Sequence, residues 1–148
     1  MDEKLTDSVT PLPWTLEKRV LPQHTDYAGV MWHGAYVNWL EEARVEALDA
    51  AGLRYAEMTA SHIDMPVVSL KIEYRRALRH GDRIRLESVF GERAGVRWPW
   101  HSRFLMGGRL MAEAWIDLVM LHRGRVLRHP PEPIAAAMKR LREGPMNP

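Results

Sequence analysis

Two periods of hydrophobic repetition divide the chain. From Ala35 to Ala51 the apolar residues Tyr36, Val37, Leu40, Ala43, Ala47, Leu48 and Ala51 recur three or four positions apart, with Asn38, Glu41, Glu42, Glu46 and Asp49 opposite them. That spacing predicts one long amphipathic helix, stopped by Gly52. Beyond Pro66 the period changes to two: Val68, Leu70, Ile72 and Tyr74 share a face, then Ile84, Leu86 and Phe90, then Val96, Trp98, Trp100, Phe104 and Met106, then Leu110, Ala112, Ala114, Ile116, Leu118 and Met120. Alternation of this kind predicts strands. The turn residues His80-Gly81-Asp82, Ala94-Gly95 and Gly107-Gly108 between them predict an antiparallel meander. Pro99 cannot donate to a ladder, so it implies an edge position or a bulge.

The flanks add shorter elements. Thr15 to Leu21 forms a first strand ended by Pro22, and Pro22 to Trp32 is a loop, as is the stretch through Ser61 and Pro66. Arg123-Gly124-Arg125 turns the chain into a short last strand, and Pro131 to Glu143 has the pattern of a helix that begins at proline and ends at Gly144. Residues 1–13, with Pro11 and Pro13, read as an N-terminal tail, leaving 14–148 as a single domain. One long helix followed by long antiparallel strands is an α+β arrangement, with the helix lying on the apolar face of a curved sheet of five to six strands.

Composition narrows the chemistry. With no cysteine in 148 residues, disulfides, thiolate nucleophiles and Cys-ligated zinc are excluded. No run approaches the roughly 18 consecutive apolar residues of a membrane span, and Met1-Asp2-Glu3-Lys4 lacks the basic-then-apolar order of a signal peptide, so a cytoplasmic protein without membrane contact is expected. Charge is uneven: residues 1–70 hold five Lys/Arg against eleven Asp/Glu, residues 71–148 sixteen against eight. The basic half is mostly arginine, which suits phosphate or carboxylate contact and raises a phosphorylated ligand or a nucleic acid as partner. The plainer explanation is a solvated strand face. Arg44 falls on the apolar helix face, where a structural ion pair is expected.

The candidate chemistry sits ahead of the helix. Asp26 lies in Gln23-His24-Thr25-Asp26-Tyr27-Ala28-Gly29, seven residues before His33, where the helix begins. A carboxylate and an imidazole are thereby placed beside the positive end of a helix dipole, which would stabilise an oxyanion. Asp26 has an ordinary alternative as an Asx-turn residue. His24, Asp26 and His33 match no common zinc spacing, so no metal is expected. Glu41 and Glu42 lie on the polar helix face, where a solvated role is the plainer reading.

The strand, the His-Thr-Asp-x-Ala-Gly loop, the helix with Tyr36-Val37-Asn38-Trp39 and Glu41-Glu42-Ala43-Arg44, and the later strands together resemble the hotdog-fold acyl-CoA thioesterases. The likeness is greatest to the 4-hydroxybenzoyl-CoA thioesterase family with its Tol-Pal-associated branch, and spans about residues 15 to 135. The resemblance implies a hotdog fold, hydrolysis of an acyl-CoA thioester without any cofactor beyond the coenzyme A of the substrate, and a homodimer or homotetramer. It implies Asp26 as base or nucleophile, His33 as a second catalytic residue and oxyanion donor, and Gly29 and Gly34 as loop and oxyanion positions. Tyr27 and Trp32 depart from the family pattern and, with Met31, would shape the acyl pocket. Coenzyme A carries phosphates, for which Arg75, Arg76, Arg79 and Arg128 are the candidate cations. Met58, Met65, Trp98 and Trp100 could line that pocket, but the strand tryptophans read as core. Competing readings are a hotdog dehydratase-like enzyme acting on acyl-ACP or acyl-CoA, and a non-catalytic acyl-CoA-binding or nucleic-acid-binding module.

Overall fold

The computed structural model describes residues 12–145, so most of the expected N-terminal tail lies outside the described residues. In chain order the elements are β1 (Trp14–Arg19), a 3-10 turn (Pro22–His24), α1 (His33–Ala50), α2 (Tyr55–Ala60), β2 (Ile63–Asp64), β3 (Val67–Tyr74), β4 (Arg83–Phe90), β5 (Arg97–Met106), β6 (Arg109–Val119), β7 (Leu121–His122), β8 (Arg125–Val126) and α3 (Ile134–Glu143). Five strands make one antiparallel sheet in the order β1-β4-β5-β6-β3, and β2, β7 and β8 make a small second one. The α+β expectation holds.

The meander holds only for β4-β5-β6. Strand β3 pairs with β6 at the far edge instead of with β4. A period-two pattern fixes which face a residue takes, not which strand is its neighbour. The eight residues between Tyr74 and Arg83 exceed a tight hairpin loop and cross the end of the sheet. Pro99 also departs from expectation, because β5 is a central strand. The sheet tolerates it because β4 ends at Phe90, opposite Trp100. The Pro99 carbonyl still accepts from the Gly91 N–H at 3.0 Å, and the missing donor falls just past the end of that neighbour.

Helix α1 buries Ala35, Tyr36, Trp39, Leu40, Ala43, Ala47 and Leu48 against the sheet. Trp39 takes the inward place expected of Val37, because it lies three positions from Tyr36 and four from Ala43, whereas Val37 is turned to solvent. Beneath the helix, the large Phe104 pairs with the small Ala112, and two small residues, Ser102 and Ala114, pair with each other. Phe104 meets the Tyr36 ring at 5.2 Å. Trp98 and Trp100 are core, as expected. Each fully buried side chain of this size contributes about 1.5–3 kcal/mol.

The short helix α2 was expected as loop; it is six residues long and buries only Met58, so it carries no periodic signal. Helix α3 closes the remaining open end of the core. The Trp14 Nε1–H donates to the Leu141 carbonyl and the Arg140 Nε–H to the Ala51 carbonyl, each at 2.8 Å, tying β1 and the end of α1 to it.

Arginines of the basic half lie against acids of neighbouring strands, Arg85 with Glu17 (2.7 Å), Arg103 with Glu87 (3.2 Å), Arg97 with Asp117 (3.1 Å) and Arg75 with Glu113 (3.1 Å), and Arg75 also meets Glu73 of β3 (3.0 Å). A hydrogen bond with His101 at 2.6 Å, and then Arg75, hold the Glu113 carboxyl below the usual carboxylate range. Arg44 pairs with Glu41 one turn earlier, its stem covered and its partner exposed.

Two hydroxyls interrupt the apolar inner face. Ser88 and Ser102 are buried on adjacent strands and share a 2.7 Å hydrogen bond. Replacing Ser88 alone by alanine leaves the Ser102 hydroxyl unpaired and should cost about 1–3 kcal/mol by urea denaturation. Replacing both should cost less than the single change, because no orphaned hydroxyl remains.

Candidate active site

The loop from β1 to α1 folds through its own backbone. After the turn at Pro22–His24, the Asp26 N–H donates to the Val30 carbonyl at 2.9 Å and the Gly29 N–H to the Asp26 carbonyl at 3.0 Å. Gly29 has φ +79°, a left-handed conformation open to a residue without Cβ. One carboxylate oxygen of Asp26, Oδ1, accepts the N–H groups of Ala28 (2.9 Å) and Val30 (3.2 Å). The Asx-turn alternative is therefore present as geometry. It uses one oxygen; Oδ2 has no hydrogen-bond partner among the described residues.

Two further links fix the loop. The Met31 N–H donates to the Leu78 carbonyl at 2.8 Å, joining the loop to the β3–β4 connection, and the Trp32 N–H donates to the His24 carbonyl at 3.1 Å. Trp32 is the residue preceding α1 and supplies no side-chain acceptor. The N–H groups of His33 and Gly34 consequently have no partner among the described residues, and they point out of the positive end of an 18-residue helix. The Trp32 indole folds back onto Gly34: a Cβ built there would stand 2.1 Å from the ring. It meets the His33 imidazole edge-on at 5.3 Å.

Asp26, Met31, Trp32, His33, Tyr36, Tyr74, Arg75 and Arg76 line one cleft of about 400 Å³. It brings together both expected catalytic residues, two of the three expected pocket residues and two of the four expected cations. Tyr27 is fully exposed and does not line it. Arg79 lies next to the loop through a bridge to Val30, with its side chain exposed. Arg128 stands elsewhere, its carbonyl accepting from Arg93. The N–H groups of Arg75 and Arg76 both donate to the Met111 carbonyl, at 2.9 and 3.0 Å, so the strand is irregular there. Arg75 turns to Glu73 and Glu113, while Arg76 has no acidic partner among the described residues. Glu42 pairs with Lys18 at 3.1 Å, and Glu41 belongs to a second cleft.

Sequence reasoning missed Tyr36 and Tyr74, whose rings meet edge-on at 4.9 Å in this cleft. Burial, and then Tyr74, push the Tyr36 phenol up to about 12, so it stays neutral. Its position three residues past His33 was a usable signal, since the two share a helix face. Tyr74 arrives from the far strand and gave none.

Residues 20–138 match the model of the thioesterase-like superfamily. A candidate esterase of Synechocystis sp. is 36% identical over 141 residues, covering 93% of this chain and 85% of its own. A 1,4-dihydroxy-2-naphthoyl-CoA hydrolase of Synechococcus sp. is 28% identical over 114 residues, covering 72% of this chain and 74% of its own. The crystal structure of a 1,4-dihydroxy-2-naphthoyl-CoA thioesterase from Synechocystis superposes with a TM-score of 0.77 at 20% identity, over 86% of this chain and 96% of that one. The hotdog fold is common to both.

Gly34 is the position where the local packing is tightest. Alanine is normally about 1 kcal/mol better than glycine inside a helix. Gly34→Ala should gain less than that by urea denaturation, because its Cβ displaces the indole, and the Trp32 side-chain N–H resonance should shift more than those of the core tryptophans.

Proposed function

This chain belongs to the thioesterase-like superfamily, and from that premise we propose that it hydrolyses an acyl-CoA thioester in the cleft holding Asp26 and His33. The observation that carries the reading is the pairing of a half-tethered carboxylate with an uncapped helix end in one cleft. The loop and helix motif that resembles the 4-hydroxybenzoyl-CoA thioesterase family supports the same site.

In this reading the thioester carbonyl lies at the start of α1, its oxygen toward the His33 and Gly34 N–H groups. Oδ2 of Asp26 takes a proton from water as the water oxygen attacks, or attacks the carbonyl itself to give an anhydride that water then opens. Either way the C–S bond breaks, the thiolate leaves and takes up the proton, and the free acid remains. Holding Oδ1 in the turn fixes where Oδ2 points without occupying it. Each oxyanion donor contributes about 3 kcal/mol to barrier lowering. The His33 imidazole stands at the cleft edge, within reach of the leaving group.

Trp32, Tyr36, Tyr74 and Met31 give the cleft flat apolar walls, which favours aromatic acyl groups, the class named for the Synechococcus relative. Arg76 is the cation available for the coenzyme phosphates. Strand β3 is a free edge with Val67, Val68, Leu70 and Tyr74 exposed, and a homodimer joined through it covers that edge. Antiparallel self-pairing sets the Tyr74 end of one strand beside the Val67 end of the partner. The second cleft, about 410 Å³ with Met58, Ile63, Met65 and Val67 among its lining, would then continue the first.

Four measurements check this. Purified protein with a graded panel of acyl-CoAs and a thiol reagent should turn over benzoyl-type thioesters faster than long fatty ones. Asp26→Asn, which keeps the Oδ1 acceptor, should lower kcat about 10²–10⁴-fold with unchanged stability; wild-type activity in that variant would sink the mechanism. Arg76→Ala should raise KM for an acyl-CoA but not for the matching acyl-pantetheine. Leu70→Asp, a charge placed on the β3 edge, should shift the sedimentation mass to monomer and lower kcat/KM.

A further inference from the structure

We propose that His24 is a positioning residue for this reaction: as a neutral imidazole with its proton on Nε2, it locks the Asp26 turn to the uncapped end of α1. The inference rests on the reading of Asp26 as the reacting carboxylate. Three contacts converge on this one residue. Its Nδ1 accepts the Leu21 N–H at 3.0 Å, its own N–H returns to the Leu21 carbonyl at 2.9 Å, and its carbonyl accepts the Trp32 N–H at 3.1 Å. The end of β1, the turn that starts the Asp26 loop and the residue preceding α1 are thus joined through three atoms of His24. The ring also stands edge-on against Trp39, at 5.1 Å, in the second turn of the helix.

An amide N–H can be accepted only by a ring nitrogen that holds a lone pair, which assigns the proton to Nε2. Protonation would set Nδ1–H against the Leu21 N–H, donor against donor. The reciprocal Leu21–His24 pair would open, and with it the carbonyl that holds Trp32, the residue whose neighbours supply the oxyanion donors. The charged groups facing the ring are Lys18 of β1 and Glu42 of α1, themselves paired at 3.1 Å. Burial, and then Lys18, lower the imidazole from its ordinary value, while Glu42 opposes them. The unfolded chain therefore takes the proton first as pH falls. Stability from this contact is complete above the ordinary histidine range and declines as pH drops through it.

The test is the pH profile of kcat/KM with benzoyl-CoA for wild type, His24→Asn and His24→Leu, together with ring 15N shifts of His24. Asparagine offers an oxygen near the place of Nδ1 that does not titrate. His24→Asn should stay within about threefold of wild type at neutral pH and retain activity at mildly acidic pH, where the wild type declines. His24→Leu should lose about tenfold in kcat with KM little changed. The 15N shifts should show Nδ1 unprotonated and Nε2 protonated at neutral pH, a readout that does not depend on any variant folding. Superimposable pH profiles for wild type and His24→Asn, or a protonated Nδ1, would overturn the inference. With Asp26→Asn inactive, that result removes the role of His24 alone; an active Asp26→Asn removes the catalytic reading and this role with it.

Discussion

Burial of one face of α1 on the sheet determines where the candidate chemistry can be. Tyr36, Trp39, Leu40, Ala43, Ala47 and Leu48 must all reach the inner face, which sets the rotation of the helix about its axis. With that rotation set, the first turn has to emerge beside the ends of β3 and the β3–β4 connection, where Leu78 receives the Met31 N–H. The same packing leaves the helix without an N-cap acceptor, because the preceding position is filled by a tryptophan whose ring has its own packing on Gly34. An unsatisfied helix terminus facing a cleft is thus a result of core packing, and the Asp26 loop is held against it by main-chain bonds.

The turn role and the proposed catalytic role of Asp26 are not rivals. A carboxylate has two oxygens and about four acceptor sites, and the loop occupies only Oδ1. A freely rotating aspartate on an exposed loop would lose side-chain entropy on binding substrate; one already held by two N–H groups has given it up on folding. Reading the sequence alone, these two roles looked like alternatives because the residue type is the same for both. Only the partners of the separate oxygens distinguish them.

What was legible in the sequence follows from period. Sustained helical spacing located α1 to within two residues at its start, and strict alternation located β4, β5 and β6 with their inner faces. Period carries no information about neighbour order, so the meander reading puts β3 beside β4, and Pro99 reads as an edge or a bulge although only the end of one neighbour is needed. Trp39, not Val37, faces inward because two positions, about 200° around the helix, put them on nearly opposite sides, and their shared apolar character hides this in the sequence. At the site, Asp26 and His33 lie close along the chain and were visible together. Arg76 is named from the sequence for its charge, whereas Tyr74, at the end of β3, is reached only through the sheet order that the pattern leaves open. Arg128 and Tyr27 were chosen for residue type and position in a motif, and neither criterion says where a side chain points.

The exposure along β3 is the feature that the monomer's own packing does not account for. Leu70 and Tyr74 lie on the inner face of the sheet, in register with Ile116 and Ala112 of β6, yet both stay exposed, although the Tyr36 ring of α1 meets Tyr74. Widening the helix face would cover them but would also fill the cleft that Tyr36 and Tyr74 share. An uncovered strip at that edge is therefore the geometric counterpart of an open cleft at the helix end, and in the proposed homodimer a second copy of β3 would extend the sheet there while leaving the cleft empty. The apolar edge and the cleft then belong to one design constraint: a single helix is too narrow to close a five-stranded face, and the part it leaves open is where Asp26 and the first turn of α1 can meet a ligand.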